Sequence, residues 1–111
     1  MANLKSNPTL PDLQEYIKVL CAERGWDNNN HLEIFLLFTE EVGELAKGIR
    51  TISDLYQEEG KGMSKEEAKK ELEGEFADVF SYLLDLANYF DIDLEKAFRE
   101  KEAINAARKW T

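Results

Sequence analysis

The segment FADVFSYLLDLANYF, residues 76–90, carries apolar side chains on most sides when it is drawn as a helix. A helix of this kind is central in a bundle or shared between subunits. It continues a segment that begins after Ser64, where Ser64 and Glu67 form the S-x-x-E pattern of a capping box. We therefore expect one long helix from Ser64 to about Phe90, with other helices packed around it.

Three further segments have the apolar spacing of helices, and the sequence contains no convincing strand. The first follows Thr9, a capping residue, and ends at Gly25. The second follows Asn30 and runs to about residue 53, and the last follows Asp93. The sequence thus predicts an all-α, four-helix bundle. Because a chain of this length buries only about two-thirds of its unfolded surface, we expect oligomerisation to complete the bundle.

The domain organisation follows from length and from one break in the pattern. A chain of 111 residues fits a single domain, residues 1–111. Residues 1–8 precede the first helix as an N-terminal tail. Residues 54–63 break the helical pattern, and we expect them to form a flexible loop between the second and third helices.

Charge and composition exclude several classes of function. The 14 Lys and Arg residues against 23 Asp and Glu residues give a net charge of −9. This charge argues against a nucleic acid polymer as partner, because phosphate binding needs a basic face. A small phosphorylated ligand is compatible if a divalent cation lies between the negative charges. Without a membrane-length apolar run or a signal-peptide pattern, we expect a cytoplasmic protein with no membrane contact.

Four carboxylates stand beside the apolar stripes of two predicted helices. Glu41 and Glu44 are three residues apart on the second helix, and Glu75 and Asp78 repeat that spacing on the third. Like charges about 4 Å apart repel by roughly 4 kcal/mol per pair at an effective dielectric constant near 20. Either some of the carboxylates are protonated or cations hold them together. Oxygen ligands suit Mg²⁺, with Mn²⁺ as a substitute, so the pattern indicates a metal pocket between helices.

The spacing alone leaves a second interpretation open, because glutamate is a common helix former and most acidic runs are solvated faces. Glu40 could be a metal ligand, a base beside the metal or a plain surface residue.

Trp26 and Trp110 could each stack on a nucleobase or pack within the protein. Tyr82 and Asp85 follow Asp78 on one helix face and could extend the pocket. Cys21 and His31 are interpreted as structural residues.

These motifs resemble the MazG-like nucleotide pyrophosphohydrolases, all-α enzymes that hydrolyse nucleoside triphosphates to monophosphate and pyrophosphate. The family signature is E-E-x-x-E on one helix and E-x-x-D on a later helix. Here it reads EEVGE, residues 40–44, and EFAD, residues 75–78, and the similarity extends over roughly residues 31–110. The segment between the two motifs is long for this family, and the extra length falls in the predicted loop.

The resemblance implies roles for particular residues. The Mg²⁺ ligands would be Glu41, Glu44, Glu75 and Asp78. Glu40, together with Glu41, would be catalytic, with Glu40 orienting or deprotonating a water molecule. The tail residues Lys101, Asn105 and Arg108 would contact the triphosphate or the sugar, and helical spacing places all three on one face. Independently of the resemblance, Trp26 is the candidate for stacking on the base, because it is an aromatic residue next to a polar loop.

The implied function is Mg²⁺-dependent hydrolysis of an NTP or dNTP, with clearance of aberrant nucleotides as a role, by a homodimer or homotetramer. The alternative is a non-catalytic helical oligomerisation module that keeps the family scaffold. A di-iron bundle is disfavoured because His31 is the only histidine and that design needs two E-x-x-H pairs. A calcium loop at residues 91–95 is disfavoured because Lys96 stands where such a loop requires glycine.

Overall fold

A computed structural model describes residues 1–56 and 62–108, and these residues form four α-helices and no strand. The helices are α1 (Leu10–Glu23), α2 (His31–Ile52), α3 (Lys65–Tyr89) and α4 (Leu94–Ala107). Each begins directly after the residue from which the sequence predicts its start, so the all-α prediction is confirmed. Residues 57–61 of the predicted loop lie outside the described residues, and the loop's flexibility stays a prediction.

Short-range hydrogen bonds explain why α1, α3 and α4 begin where they do. The backbone N–H of Asp12 donates to the Thr9 hydroxyl at 3.2 Å, and the backbone N–H of Thr9 donates to the Asp12 carboxylate at 3.0 Å. This reciprocal pair is a capping box, which satisfies N–H groups that a helix start leaves without a partner. At α3, the backbone N–H of Glu67 donates to the Ser64 hydroxyl at 3.1 Å. Asp93 caps α4 in the same way through its carboxylate.

The chain divides into two compact units. One comprises Met1–Asn30 together with the chain from Leu84 onward, and the other is the continuous segment His31–Leu83. The boundary falls inside α3, so this helix contributes residues to both units.

The first unit has an apolar core centred on Ile17, Cys21 and Leu84, all of which are buried. Partly buried side chains from α1 and α4 pack against it: Leu10, Leu13, Tyr16, Leu20 and Leu94. Burial and a hydrogen bond to Asp85 raise the pKa of the Cys21 thiol to about 11. Because the thiolate is the reactive form, the raised pKa disfavours reaction at this cysteine, and its burial confirms the prediction of a core residue.

A buried polar side chain, Gln14, connects α1 to the junction between α3 and α4. Its amide nitrogen donates to the Asn88 side chain at 3.0 Å and to the carbonyl of Ile92 at 2.8 Å. Its amide oxygen accepts from the backbone N–H of Leu94 at 2.9 Å, and the Asn88 amide donates to the Gln14 carbonyl at 2.9 Å. Because the donors and acceptors pair, Gln14 can be 8 % exposed without a buried polar group left unsatisfied.

In the second unit, α2 and α3 bury Ile34 and Ala68, each 3 % exposed. The apolar pattern of α3 predicts a helix that is central in a bundle or shared between subunits, and Phe76 and Phe80 on it are 56 % and 40 % exposed, so these side chains are not enclosed within the single chain. Ile49, which continues the apolar stripe that Ile34, Phe38 and Leu45 form along α2, is 46 % exposed. It is fifteen residues beyond Ile34, which places it about 60° further round the helix, at the stripe's edge.

Within the described residues, no helix is long and apolar enough to cross a membrane.

Candidate functional site

Three of the predicted metal ligands lie together between α2 and α3. Glu41 on α2 and Glu75 and Asp78 on α3 each offer a carboxylate oxygen, and these oxygens all lie within 4.8 Å of one another. Glu41 and Glu75 are partly buried, whereas Asp78 is exposed. We refer to these three residues as the carboxylate group. It is open to solvent on the Asp78 side, so a ligand has access to it.

The packing of α2 against α3 explains how the carboxylate group forms. Glu41 faces Glu75 and Asp78, whereas Gly48, two turns later on α2, lies beside Leu72, which comes earlier on α3. Later residues of one helix therefore meet earlier residues of the other, and the two helices run antiparallel. Glu41 and Gly48 share one face of α2 because seven residues are close to two full turns.

Within the carboxylate group, the carboxyl of Glu41 has a raised pKa. Partial desolvation raises the pKa of its carboxyl, and the negative charges of Asp78 and Glu75 raise it further. Glu40 and Glu44 add smaller contributions in the same direction. Each of these neighbours disfavours the ionised form of Glu41, and a bound cation would reverse that preference.

Glu44 and Glu40 lie outside the group of three. Both side chains are exposed, although their charges reach Glu41. Glu44 is three residues beyond Glu41, so it lies about 60° round α2 from it. Its predicted role as a fourth ligand, like the predicted role of Glu40, stays a prediction.

The chemistry of the donors fits a hard divalent cation. All three residues of the carboxylate group supply oxygen, the ligand atom that Mg²⁺ and Mn²⁺ prefer. Mg²⁺ is usually held by one or two carboxylates and keeps positions for water and substrate phosphates. Three carboxylates beside an exposed edge can therefore hold such an ion and leave room for a phosphorylated substrate.

The predicted substrate contacts at the end of the chain lie in the first unit. Lys101 is exposed and Asn105 is partly buried, and both are on α4. Arg108 is not on the helix, because it caps α4 with an extended backbone (φ −75°, ψ 144°). Lys101 and Asn105 are four residues apart and share one face of α4, whereas the place of Arg108 on that face stays a prediction.

The aromatic candidate, Trp26, follows the glycine that ends α1. Trp26 is 50 % exposed, and the Arg24 guanidinium lies 5.0 Å from the ring centroid, a cation–π contact. The residue is therefore accessible to a ligand from solvent. Trp110 lies outside the described residues. Asp85 belongs to the first unit, where it is hydrogen-bonded to Cys21.

Gly48 is a residue near the carboxylate group that the sequence motifs do not single out. A Cβ atom at this position would lie 3.1 Å from Cδ1 of Leu72 and 3.7 Å from Cγ of Glu75. A glycine inside a predicted helix, where alanine is more stable by about 1 kcal/mol, was the available signal of a close approach. The signal does not say what approaches, which only the packed helices reveal.

Comparison with known proteins places these residues in a family. The model of the MazG nucleotide pyrophosphohydrolase domain matches residues 29–105. The chain is 32 % identical over 102 residues to dCTP pyrophosphatase 1 of Rattus norvegicus, an alignment that covers 91 % of this chain and 59 % of that protein. It is 42 % identical over 60 residues to a dATP/dGTP diphosphohydrolase of Cyanophage S-2L, covering 54 % of this chain and 55 % of that protein.

A third relative is closer in length. The uncharacterized protein YvdC of Bacillus subtilis is 31 % identical over 96 residues, covering 83 % of this chain and 91 % of that protein. The chain thus spans about three-fifths of the rat enzyme and most of the bacterial protein. The family match includes α2, α3 and most of α4, and with them the whole carboxylate group. The chain therefore belongs to the family of MazG nucleotide pyrophosphohydrolase domains.

Proposed function

We propose that the protein is a Mg²⁺-dependent nucleotide pyrophosphohydrolase, which converts a nucleoside triphosphate and water to the monophosphate and pyrophosphate. The observation that carries this proposal is the carboxylate group: Glu41, Glu75 and Asp78 converge from two helices with oxygens within 4.8 Å. Family membership supports the reaction class. Mn²⁺ is the expected substitute for Mg²⁺, since it prefers the same ligands.

Deoxynucleoside triphosphates are the substrates that we propose. The rat relative is named for dCTP and the phage relative for dATP and dGTP. These names differ in the base and share the deoxyribose, so the sugar is the feature we carry to this chain. Clearance of aberrant nucleotides would be the corresponding role, and it requires that modified deoxynucleotides are hydrolysed faster than normal ones.

Each residue of the site has a proposed task. Glu41, Glu75 and Asp78 would hold the metal, with Glu44 as a further ligand. When bound, Mg²⁺ would neutralise phosphate charge and polarise the P–O bond. Glu40, exposed beside Glu41, would accept a proton from the attacking water.

The substrate contacts proposed for the first unit divide between charge and stacking. Lys101 and Arg108 would meet the phosphates, and Asn105 the sugar or a phosphate oxygen. Trp26, half exposed, would stack on the base.

A homodimer or homotetramer is the proposed assembly. Large apolar side chains that are more than half exposed occur on α2, α3 and α4: Leu32, Phe35, Leu36, Phe76, Phe98 and Ile104. Exposed apolar surface on a small protein supports an interface with other copies of the chain. Light scattering that gave a monomer at micromolar concentration would contradict this assembly.

The experiment that tests the proposed function measures pyrophosphate release from a panel of ribo- and deoxynucleoside triphosphates, with and without Mg²⁺. We expect release that depends on Mg²⁺ and is faster for the deoxy series. Glu41→Gln and Asp78→Asn should each lower the rate by about a hundredfold or more, because each removes a carboxylate ligand.

The matched control is Glu73→Gln, which removes the same charge from an exposed position on α3. We expect it to retain the parent rate. If Glu73→Gln lost activity as severely as Glu41→Gln, general charge rather than the carboxylate group would explain the loss. If no triphosphate released pyrophosphate and Mg²⁺ failed to bind, the non-catalytic oligomerisation module would become the better account.

A further inference from the structure

Helix α2 contains two interior glycines whose surroundings differ. A Cβ atom built on Gly43 would meet nothing within 4 Å. A Cβ atom built on Gly48 would lie 3.1 Å from Cδ1 of Leu72, 3.7 Å from Cγ of Glu75 and 3.9 Å from Cα of Leu72. Glycine costs a helix about 1 kcal/mol relative to alanine. At Gly48 the close approach of α3 gives a reason for that cost, which Gly43 does not share.

The side chain of Glu75, a predicted metal ligand, passes close to Gly48. Glu75 carries one of the three carboxylates, and its Cγ lies at ordinary contact distance from the position of the missing Cβ. The stem thus passes alongside the bare backbone of Gly48 on its way to Glu41. A Cβ atom alone would fit beside the stem at this distance, whereas a larger side chain at residue 48 would compete with the stem for space.

We propose that Gly48 is a positioning residue, whose missing side chain lets Glu75 reach the metal site beside Glu41. This inference rests on the proposed function, since it assigns a role in metal binding. It concerns the geometry of the metal-free protein, because the distances from Gly48 to Leu72 and Glu75 are set by the packing of α2 against α3 and involve no ion.

The size of a replacement side chain decides the consequence. Alanine would require the Leu72 methyl to move by a few tenths of an ångström, which a flexible side chain permits. Valine adds two methyl groups next to the Leu72 backbone and the Glu75 stem. A backbone atom of a helix cannot yield alone, so either α3 shifts or the Glu75 side chain turns away, and both changes displace the carboxylate.

The test measures Mn²⁺ affinity by calorimetry on the protein without nucleotide, together with its metal-free melting temperature. The variants are Gly48→Ala and Gly48→Val, each matched by the same change at Gly43. The Gly43 pair corrects for helix propensity, because both positions lie inside α2 and only one meets α3. Circular dichroism at the assay temperature establishes that each variant is folded.

We expect Gly48→Val to weaken Mn²⁺ binding by about tenfold or more, the range found when groups that orient a ligand are changed. Gly48→Ala should have a smaller effect in the same direction. Gly43→Ala and Gly43→Val should stay within about twofold of the parent, and Gly43→Ala should melt higher than the parent because alanine favours the helix. Folded Gly48 variants with the affinity of their Gly43 counterparts would overturn the inference and leave the proposed function intact. Failure of the parent protein to bind Mn²⁺ would instead overturn the proposed function, and this inference with it.

Discussion

The polar groups of the two units are arranged in opposite ways. In the first unit, the Gln14 side chain pairs its donors and its acceptor with three partners, and Asp12 accepts hydrogen bonds from Thr9 and Lys5. In the second unit, the carboxylate group consists of acceptors alone. The pKa values move accordingly: hydrogen bonds lower that of Asp12 to about 2, whereas desolvation and like charges raise that of Glu41.

The paired polar groups of the first unit stabilise the fold, whereas the carboxylate group of the second unit is suited to bind a cation. A polar network whose members are all satisfied stabilises one arrangement of the helices. Acceptors gathered without donors destabilise the metal-free chain and become favourable once positive charge arrives from outside. Removing a member of the Gln14 network should therefore lower the stability of the metal-free protein, whereas removing a charge from the carboxylate group should raise it.

The largest expected effect is the loss of the Gln14 network. Gln14→Leu keeps the approximate size of the side chain and leaves the Leu94 N–H and the Ile92 carbonyl without their partner. We expect the free energy of unfolding to fall by about 3 kcal/mol, because these two groups and the Asn88 side-chain oxygen, all in part-buried hydrogen bonds, lose their partner. Urea denaturation measures this change.

Glu15→Leu is the matched control, since it introduces the same side chain at the adjacent, exposed position of α1. It should change the free energy of unfolding by no more than about 0.5 kcal/mol. Equal effects of the two substitutions would contradict the role assigned to the network.

Glu41→Gln should have the opposite effect in metal-free protein. Removing one of three clustered negative charges relieves like-charge repulsion, which is about 1 kcal/mol per pair at 4 Å where water screens the charges, so the variant should be more stable than the parent in EDTA. With Mg²⁺ at a hundred times its dissociation constant, the parent gains about 2.7 kcal/mol and the variant much less, so their order should reverse. Thermal melting in EDTA and in Mg²⁺ provides both comparisons.

Glu73→Gln, which is exposed on the same unit, should leave the response to Mg²⁺ unchanged. A Glu41→Gln variant that was stabilised by Mg²⁺ as much as the parent would show that the ion binds elsewhere.

The smallest expected effect concerns Asp12 and depends on pH. Its pKa is lowered from 3.8 to about 2 in the folded protein, first by the hydrogen bond from the Thr9 backbone and next by that from Lys5. A lowered pKa stabilises the fold at pH values above 3.8 and loses that contribution as the pH falls toward 2. Asp12→Asn should therefore melt below the parent near neutral pH, and the difference should shrink through this acid range. A difference that persisted unchanged below pH 2 would contradict the assignment to Asp12.

Local signals predicted the helices well because the physics of a helix start is local. Thr9, Ser64 and Asp93 each accept a hydrogen bond from a backbone N–H three residues later, a relation visible in the sequence. The burial of Gln14 was also within reach, since Gln14, Ile17 and Cys21 share one face of α1. Its partners were not, because they lie 74 to 80 positions away along the chain.

The candidate site also has one part that spacing along the chain predicts and one part that depends on how the helices pack. Spacing placed Glu41 beside the apolar stripe and paired Glu75 with Asp78 on one helix. Spacing could not indicate which turn of α3 meets which turn of α2, and that register brings the three carboxylates together and leaves Glu44 at the exposed side. The contact at Gly48 has the same origin, because it depends on Leu72 and Glu75 across the helix pair.

The long sequence separation within the Gln14 network also bears on the order in which the chain folds during synthesis. At about 5–20 residues per second, the 80 positions between Gln14 and Leu94 take on the order of ten seconds to synthesise. Helix α1 must remain without these partners for that time, whereas the unit His31–Leu83 is continuous and can assemble earlier. Pulsed hydrogen exchange on stalled nascent chains should therefore find α2 protected before α1. The N-terminal helix is the segment that a chaperone on the ribosome would meet uncovered.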